Sequence, residues 1–195
     1  MFSRISSLNG TTVVVGALFI TALFAAVVYA ATTIILAVGT IPESAFFGGP
    51  ATVTVRTLTI QPGEVLPWHY HPGYAFNVVR SGVLTVEDGC SQQDETLTAG
   101  QAFEETQGHV HRAKNLGTEP VVVYNTFVVP QGRPTTVNIP NNERKCGPPS
   151  DLDECMDDRW EMFSWPSTFN NQGECVAYLR HRPLLTLPVI EDPLR

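Results

Sequence analysis

Basic residues are scarce in this sequence. Of 195 residues only 12 are Lys or Arg, against 19 Asp or Glu, and the formal net charge is −7. A nucleic-acid groove needs a basic footprint; none is present, so nucleic acid is excluded as a partner. C-x-x-C pairs are missing as well: Cys90, Cys146, Cys155 and Cys175 stand apart. Their absence argues against a zinc ribbon or a redox motif, while an even number of separated cysteines on an exported chain allows one or two disulfides. Spacing alone does not set their pairing. No window between residues 50 and 130 has a helical period, and no charged residue occurs from Thr11 to Val38.

That uncharged stretch is long enough to cross a hydrocarbon layer of about 30 Å as a helix. Arg4 precedes it, which places the N-terminus on the cytoplasmic side. Two readings stay open. The small residues around Val28-Tyr29-Ala30 suit signal-peptide cleavage, and the length suits an uncleaved anchor. Residues 1–39 are thus expected to be a signal peptide or transmembrane helix, with membrane contact through residues 11–38. Either way the rest of the chain lies outside the cytoplasm, membrane-anchored or secreted.

What is present after that segment suits one domain. Thr52 to Ile60 (TVTVRTLTI) alternates and is rich in β-branched residues, which predicts a half-buried strand. Gly- and Pro-containing turns then separate further predicted strands over 65–71, 75–80, 83–87, 101–106, 109–115 and 121–129. Short strands at near-regular spacing predict an all-β barrel or sandwich over residues 50–132. Residues 133–195 are rich in Pro, Asn and acids and read as an irregular C-terminal extension packed on the barrel, held by Trp160, Phe163, Trp165 and Phe169. Asp151, Asp153, Asp157 and Asp158 lack the Gly and terminal Glu of a calcium loop and read as a solvated turn.

Four of the five histidines form two pairs, His69-Tyr70-His71 and His109-Val110-His111. On a strand, residues i and i+2 point to one face, so each pair can aim two imidazoles at one ion. Imidazole nitrogen suits zinc, copper, iron or nickel.

The spacing of these pairs resembles the cupin superfamily. Its first motif is met by Gly63, five residues, His69-Tyr70-His71, and Gly82. Its second is met by Gly100, QAFEE, Thr106-Gln107-Gly108, His111 and Asn115, with Thr106 where the family has proline. The likeness covers about residues 52–130 and is closest to small single-domain cupins. It implies a jelly-roll-like β-barrel that binds a divalent transition metal (Fe, Zn, Mn, Cu or Ni) through His69, His71 and His111. The family's fourth ligand is a glutamate, and its position here is Ala75. Glu105 and His109 are the candidates for an additional ligand or a base. With three neutral imidazoles and no carboxylate an ion would keep its full charge, so a small anionic ligand is expected. The likeness implies either a metal-dependent oxygenase or isomerase, or a non-catalytic module that binds a small ligand or a metal. It also implies a homodimer.

Overall fold

The computed structural model describes residues 31–181. Ten strands form two antiparallel five-stranded sheets that face each other. The first sheet orders β1 (Thr32–Ser44), β2 (Gly49–Ile60), β9 (Val121–Pro130), β4 (Tyr74–Ser81) and β7 (Ala102–Glu105). The second orders β10 (Val137–Asn138), β3 (His69–Tyr70), β8 (His111–Lys114), β5 (Val83–Asp88) and β6 (Glu95–Thr98). From β2 to β5 the chain alternates between the sheets, and it does so again from β6 to β10. The expected barrel is not closed: no ladder joins the two sheets among the described residues. The architecture is a sandwich with edges, because the turns carry the chain across the gap and leave the outermost strands unpaired on one side.

Alternation builds the core. Along β9 the residues Val121, Val123, Asn125, Phe127 and Val129 are all buried, and they share one face of the strand. Leu58 and Ile60 of β2 and Val79 of β4 join Val121 and Val123 from the same sheet, and Leu84 of β5 and Leu97 of β6 close the cluster from the other. This apolar end anchors the sandwich. The other end of the gap is polar and holds the histidines. Gly73 lets β4 approach β9 there: a Cβ at this position would stand 2.1 Å from the Val128 carbonyl oxygen.

The boundaries depart from expectation in several places. Residues 32–38, read above as the end of the apolar N-terminal segment, belong to β1, which pairs with β2 from Thr32↔Thr59 onwards. Uncharged β-branched residues suit a strand as well as a membrane helix, and the tertiary partner β2 decides. The rest of the expected signal or anchor, residues 1–30, lies outside the described residues. No helix among the described residues is long and apolar enough to cross a membrane. The expected strand over 65–71 shrinks to His69–Tyr70 and one bridge, Val65↔Lys114.

The C-terminal extension contains short 3-10 turns and a helix, α1 (Gln172–Arg180), whose first turn is capped by Asn171 accepting from the Glu174 amide at 2.9 Å. Two disulfides staple it. Cys90–Cys146 ties it to the loop after β5, and Cys155–Cys175 ties a 3-10 turn to α1. Phe163 is buried among these cystines, and Trp165 stacks on Tyr70 at 5.4 Å, on the outer side of the second sheet.

Candidate metal centre

His69 and His111 are direct cross-strand partners on β3 and β8. His71 follows β3 and faces the same gap. The amide of Gly108, a glycine at φ +80, donates to the His71 carbonyl at 2.8 Å and so ties the two His-x-His segments together. The three rings stand 4.5 to 5.1 Å apart by centroid. Their ligand nitrogens lie within 4.8 Å of one another, and all three residues are buried.

The second nitrogen of each ring decides what this cluster can do. His69 Nδ1 lies 2.8 Å from the Pro67 carbonyl, His71 Nδ1 2.6 Å from that of Thr135, and His111 Nδ1 3.0 Å from that of His109. A carbonyl oxygen only accepts, so each Nδ1 carries the proton and donates it. Each neutral ring therefore has a bare lone pair on Nε2. Three lone pairs converge on one point, as they do when an outer partner orients a metal ligand.

Glu105 stands against this point. Its Oε1 is 2.9 Å from His111 Nε2 and its Oε2 is 3.1 Å from His71 Nε2. Yet the buried His111 Nε2 makes no hydrogen bond of good geometry. A carboxylate oxygen and an imidazole lone pair are both acceptors, and their close approach requires a proton or a cation between them. The three imidazole nitrogens fit a metal ion, one of them buried without another partner, and the Glu105 carboxylate stands beside them.

In the metal-free protein a proton between Glu105 and His111 takes the place of a cation. Burial opposes ionisation of Glu105, but the charges of His111 and His71 and their close approach outweigh it and hold the carboxyl well below its usual range. For His111, burial pulls the pKa down, and Glu105 more than offsets this and raises it. His69 has no carboxylate so near; burial and then the His111 and His71 charges push it down to about 3.

The position of Glu105 answers the missing glutamate. In the β4–β7 ladder Ala75 is the register partner of Glu105. Directly opposite residues share a face and stand about 5 Å apart. A carboxylate from β7 thus fills the space that a residue at 75 would reach, and the small Ala75, fully buried, leaves room for it. His109 goes elsewhere. Its Nε2 donates to Asp88 Oδ2 at 2.6 Å, and its carbonyl holds His111. It supports a ligand and is not brought to the cluster.

Three polar residues that the sequence reading missed complete the site. Arg56 Nε donates to Asn125 Oδ1 at 3.2 Å, Asn125 Nδ2 donates to Asn77 Oδ1 at 2.7 Å, and Asn77 Nδ2 donates to Glu105 Oε2 at 3.0 Å. Every donor points the same way, from the guanidinium to the carboxylate. Their signal was parity: Arg56 shares a strand face with Leu58 and Ile60, and Asn125 shares one with Val123 and Phe127. A polar residue on an apolar face is the observation that carries information.

A small, partly open cavity of about 40 Å³ adjoins the cluster, lined by Arg56, Asn125, Phe127 and Glu105 from the first sheet and by the three histidines. A surface pocket of about 240 Å³ lies beyond, lined among others by Asp88, Glu95, Glu104 and His109. Glu105 and His111 line both and form the wall between them.

Comparison with known proteins follows this geometry. No curated protein matches the chain. Among solved structures, an uncharacterised protein with a double-stranded β-helix domain from Klebsiella pneumoniae is 22% identical, covering 55% of this chain and 83% of its own, at a TM-score of 0.41. A cupin superfamily protein from Desulfitobacterium hafniense is 11% identical, covering 51% of this chain and 78% of its own, at 0.40. A polyketide cyclase from Streptomyces resistomycificus is 18% identical, at 0.41; the match covers 47% of this chain and 63% of the cyclase. The family model for the Cupin domain matches residues 56–129. That segment, which carries both histidine pairs and Glu105, is similar to the cupin family.

Proposed function

We propose that this cupin-like domain binds one divalent transition metal through His69, His71, His111 and Glu105, and that it acts on a small molecule there as a metal-dependent oxygenase or isomerase. One observation carries the reading: three backbone carbonyls hold three Nδ1 protons, so three Nε2 lone pairs face one point beside a small cavity. When bound, the ion supplies Lewis acidity toward a ligand oxygen, or redox chemistry if it is iron, copper or manganese. The chain's own residues orient the imidazoles, present a carboxylate and exclude bulk water.

The small cavity favours a second reading, a non-catalytic module that holds a metal or a compact ligand. Elemental analysis of the purified protein, followed by oxygen uptake and isomerisation assays with a panel of small acids and thiols, separates the two. Turnover that disappears on chelation supports the enzyme. One metal per chain without turnover supports the module. No uptake of any first-row divalent metal refutes the metal-dependent enzyme and the metal-holding form of the module.

We further propose that the domain works outside the cytoplasm. Two disulfides that use every cysteine of the sequence support this, since such bonds persist in oxidising compartments. With β1 beginning at Thr32, a signal peptide or anchor would occupy residues 11–30. Cell fractionation tests it, and a reduced, cytosolic protein would refute it.

A further inference from the structure

Arg56 has no role in holding the metal, yet it faces the same cavity. Its guanidinium lies 4.5 Å over the Phe127 ring, and Nε is engaged by Asn125. That leaves the terminal nitrogens, which make no ion pair with any carboxylate among the described residues. Burial lowers the pKa of this group, and the nearby charge of Glu105 only partly offsets it. A half-buried guanidinium without a paired carboxylate is costly, and a ligand that pairs with it removes the cost.

Charge and size narrow the ligand. A divalent ion, Glu105 and Arg56 together leave two positive charges in a partly open space, because the imidazoles are neutral. The cavity is small, about 40 Å³, which favours a compact ligand over a bulky one. The reach is short: the Phe127 ring touches Arg56 at 4.5 Å and His71 at 4.9 Å. The Asn125–Asn77 chain fixes Arg56 relative to Glu105, so the two ends of the ligand site are set together.

Building on the metal-site reading above, we propose that Arg56 anchors the carboxylate of a small organic acid whose neighbouring carbon carries a second oxygen donor: an α-hydroxyl, an α-keto group or a second carboxyl. The carboxylate takes the planar fork of the guanidinium, and the second oxygen faces the Nε2 cluster. The acids of the outer pocket, Asp88, Glu95 and Glu104, slow access of such an anion without setting its affinity inside.

The test uses the full chain loaded with cobalt(II), with metal content measured for each variant. Lactate, lactamide and mandelate are titrated by calorimetry and by the visible cobalt spectrum. Lactate should bind and change the spectrum. Lactamide, which lacks the charge, should bind at least about tenfold more weakly, and mandelate, which exceeds the cavity, should not bind. Arg56→Gln and Arg56→Lys should keep one cobalt and lose about tenfold or more in lactate affinity. Wild-type lactate affinity in both variants, or no preference for lactate over lactamide, would overturn the role of Arg56. So would loss of cobalt from both variants, which would make Arg56 part of the metal cage. A wild-type chain that takes up no cobalt would overturn the metal reading itself, and with it this proposal.

Discussion

Replacing Glu105 by glutamine keeps the shape of the side chain and removes its charge. In the structure the carboxylate faces two Nε2 atoms at 2.9 and 3.1 Å and is itself held by Asn77. Losing an outer partner of a metal ligand costs 10- to 100-fold in affinity, so losing a charged direct ligand should cost about 100-fold or more. That corresponds to about 2.7 kcal/mol of metal-linked stabilisation at saturating metal. For a chain of this size, about 2–4 °C accompanies each kcal/mol, so the metal-induced rise in Tm should shrink by about 5–11 °C. The metal-free protein should behave differently. A glutamine amide can donate to an Nε2 lone pair in place of the lost charge, so Glu105→Gln should lower the Tm less in the metal-free protein than in the metal-loaded one. Thermal melts with and without added zinc, after chelation, read both quantities. A variant with the full wild-type rise in Tm would refute the assignment of Glu105 as a ligand.

Four further outcomes follow from the same geometry. His111→Ala removes one of three converging nitrogens and should take metal content well below one per chain; unchanged stoichiometry would refute its role. Glu105→Ala combined with Ala75→Glu moves the carboxylate to the strand directly opposite and should recover part of the affinity lost in Glu105→Ala alone; no recovery would mean that residue 75 does not face the ion. In the metal-free protein, His111 is raised from 6.5 and Glu105 lowered from 4.5. The His111 contribution is full below 6.5 and is lost as pH rises through its folded value, and that of Glu105 is full above 4.5 and is lost on acidification. The metal-free Tm should therefore peak between these limits and decline on the alkaline side, while metal affinity falls as acid protonates His111; a flat metal-free profile would contradict the pairing. Finally, Cys155→Ser with Cys175→Ser opens a loop of separation 20 and should cost about 3 kcal/mol without changing metal content; a loss of metal would show that the tail supports the site.

Much of this site was legible in the sequence because strand periodicity is short-range physics. His69 and His71 share a face by alternation alone, and β2, β4, β5 and β9 fall close to where their β-branched runs and glycine turns end. The partner of each strand is a long-range property and was not legible. It decided that residues 32–38 pair with β2, that Glu105 lies opposite Ala75, and that two sheets face each other without closing. The disulfide pairing has the same character, since four cysteines admit three connectivities. The missed Arg56, Asn77 and Asn125 are of another kind. Their parity was readable, as polar residues on faces otherwise occupied by Leu58, Val79 and Phe127. That Glu105 is where their chain of hydrogen bonds leads follows only from the folded register.

Anomalous diffraction at the metal edge, from crystals of the chain loaded with cobalt or zinc, tests the central claim most directly. The account predicts one peak about 2.1 Å from Nε2 of His69, His71 and His111 and from a carboxylate oxygen of Glu105. A peak bound through Nδ1, a peak elsewhere, or no peak among these four side chains would contradict it.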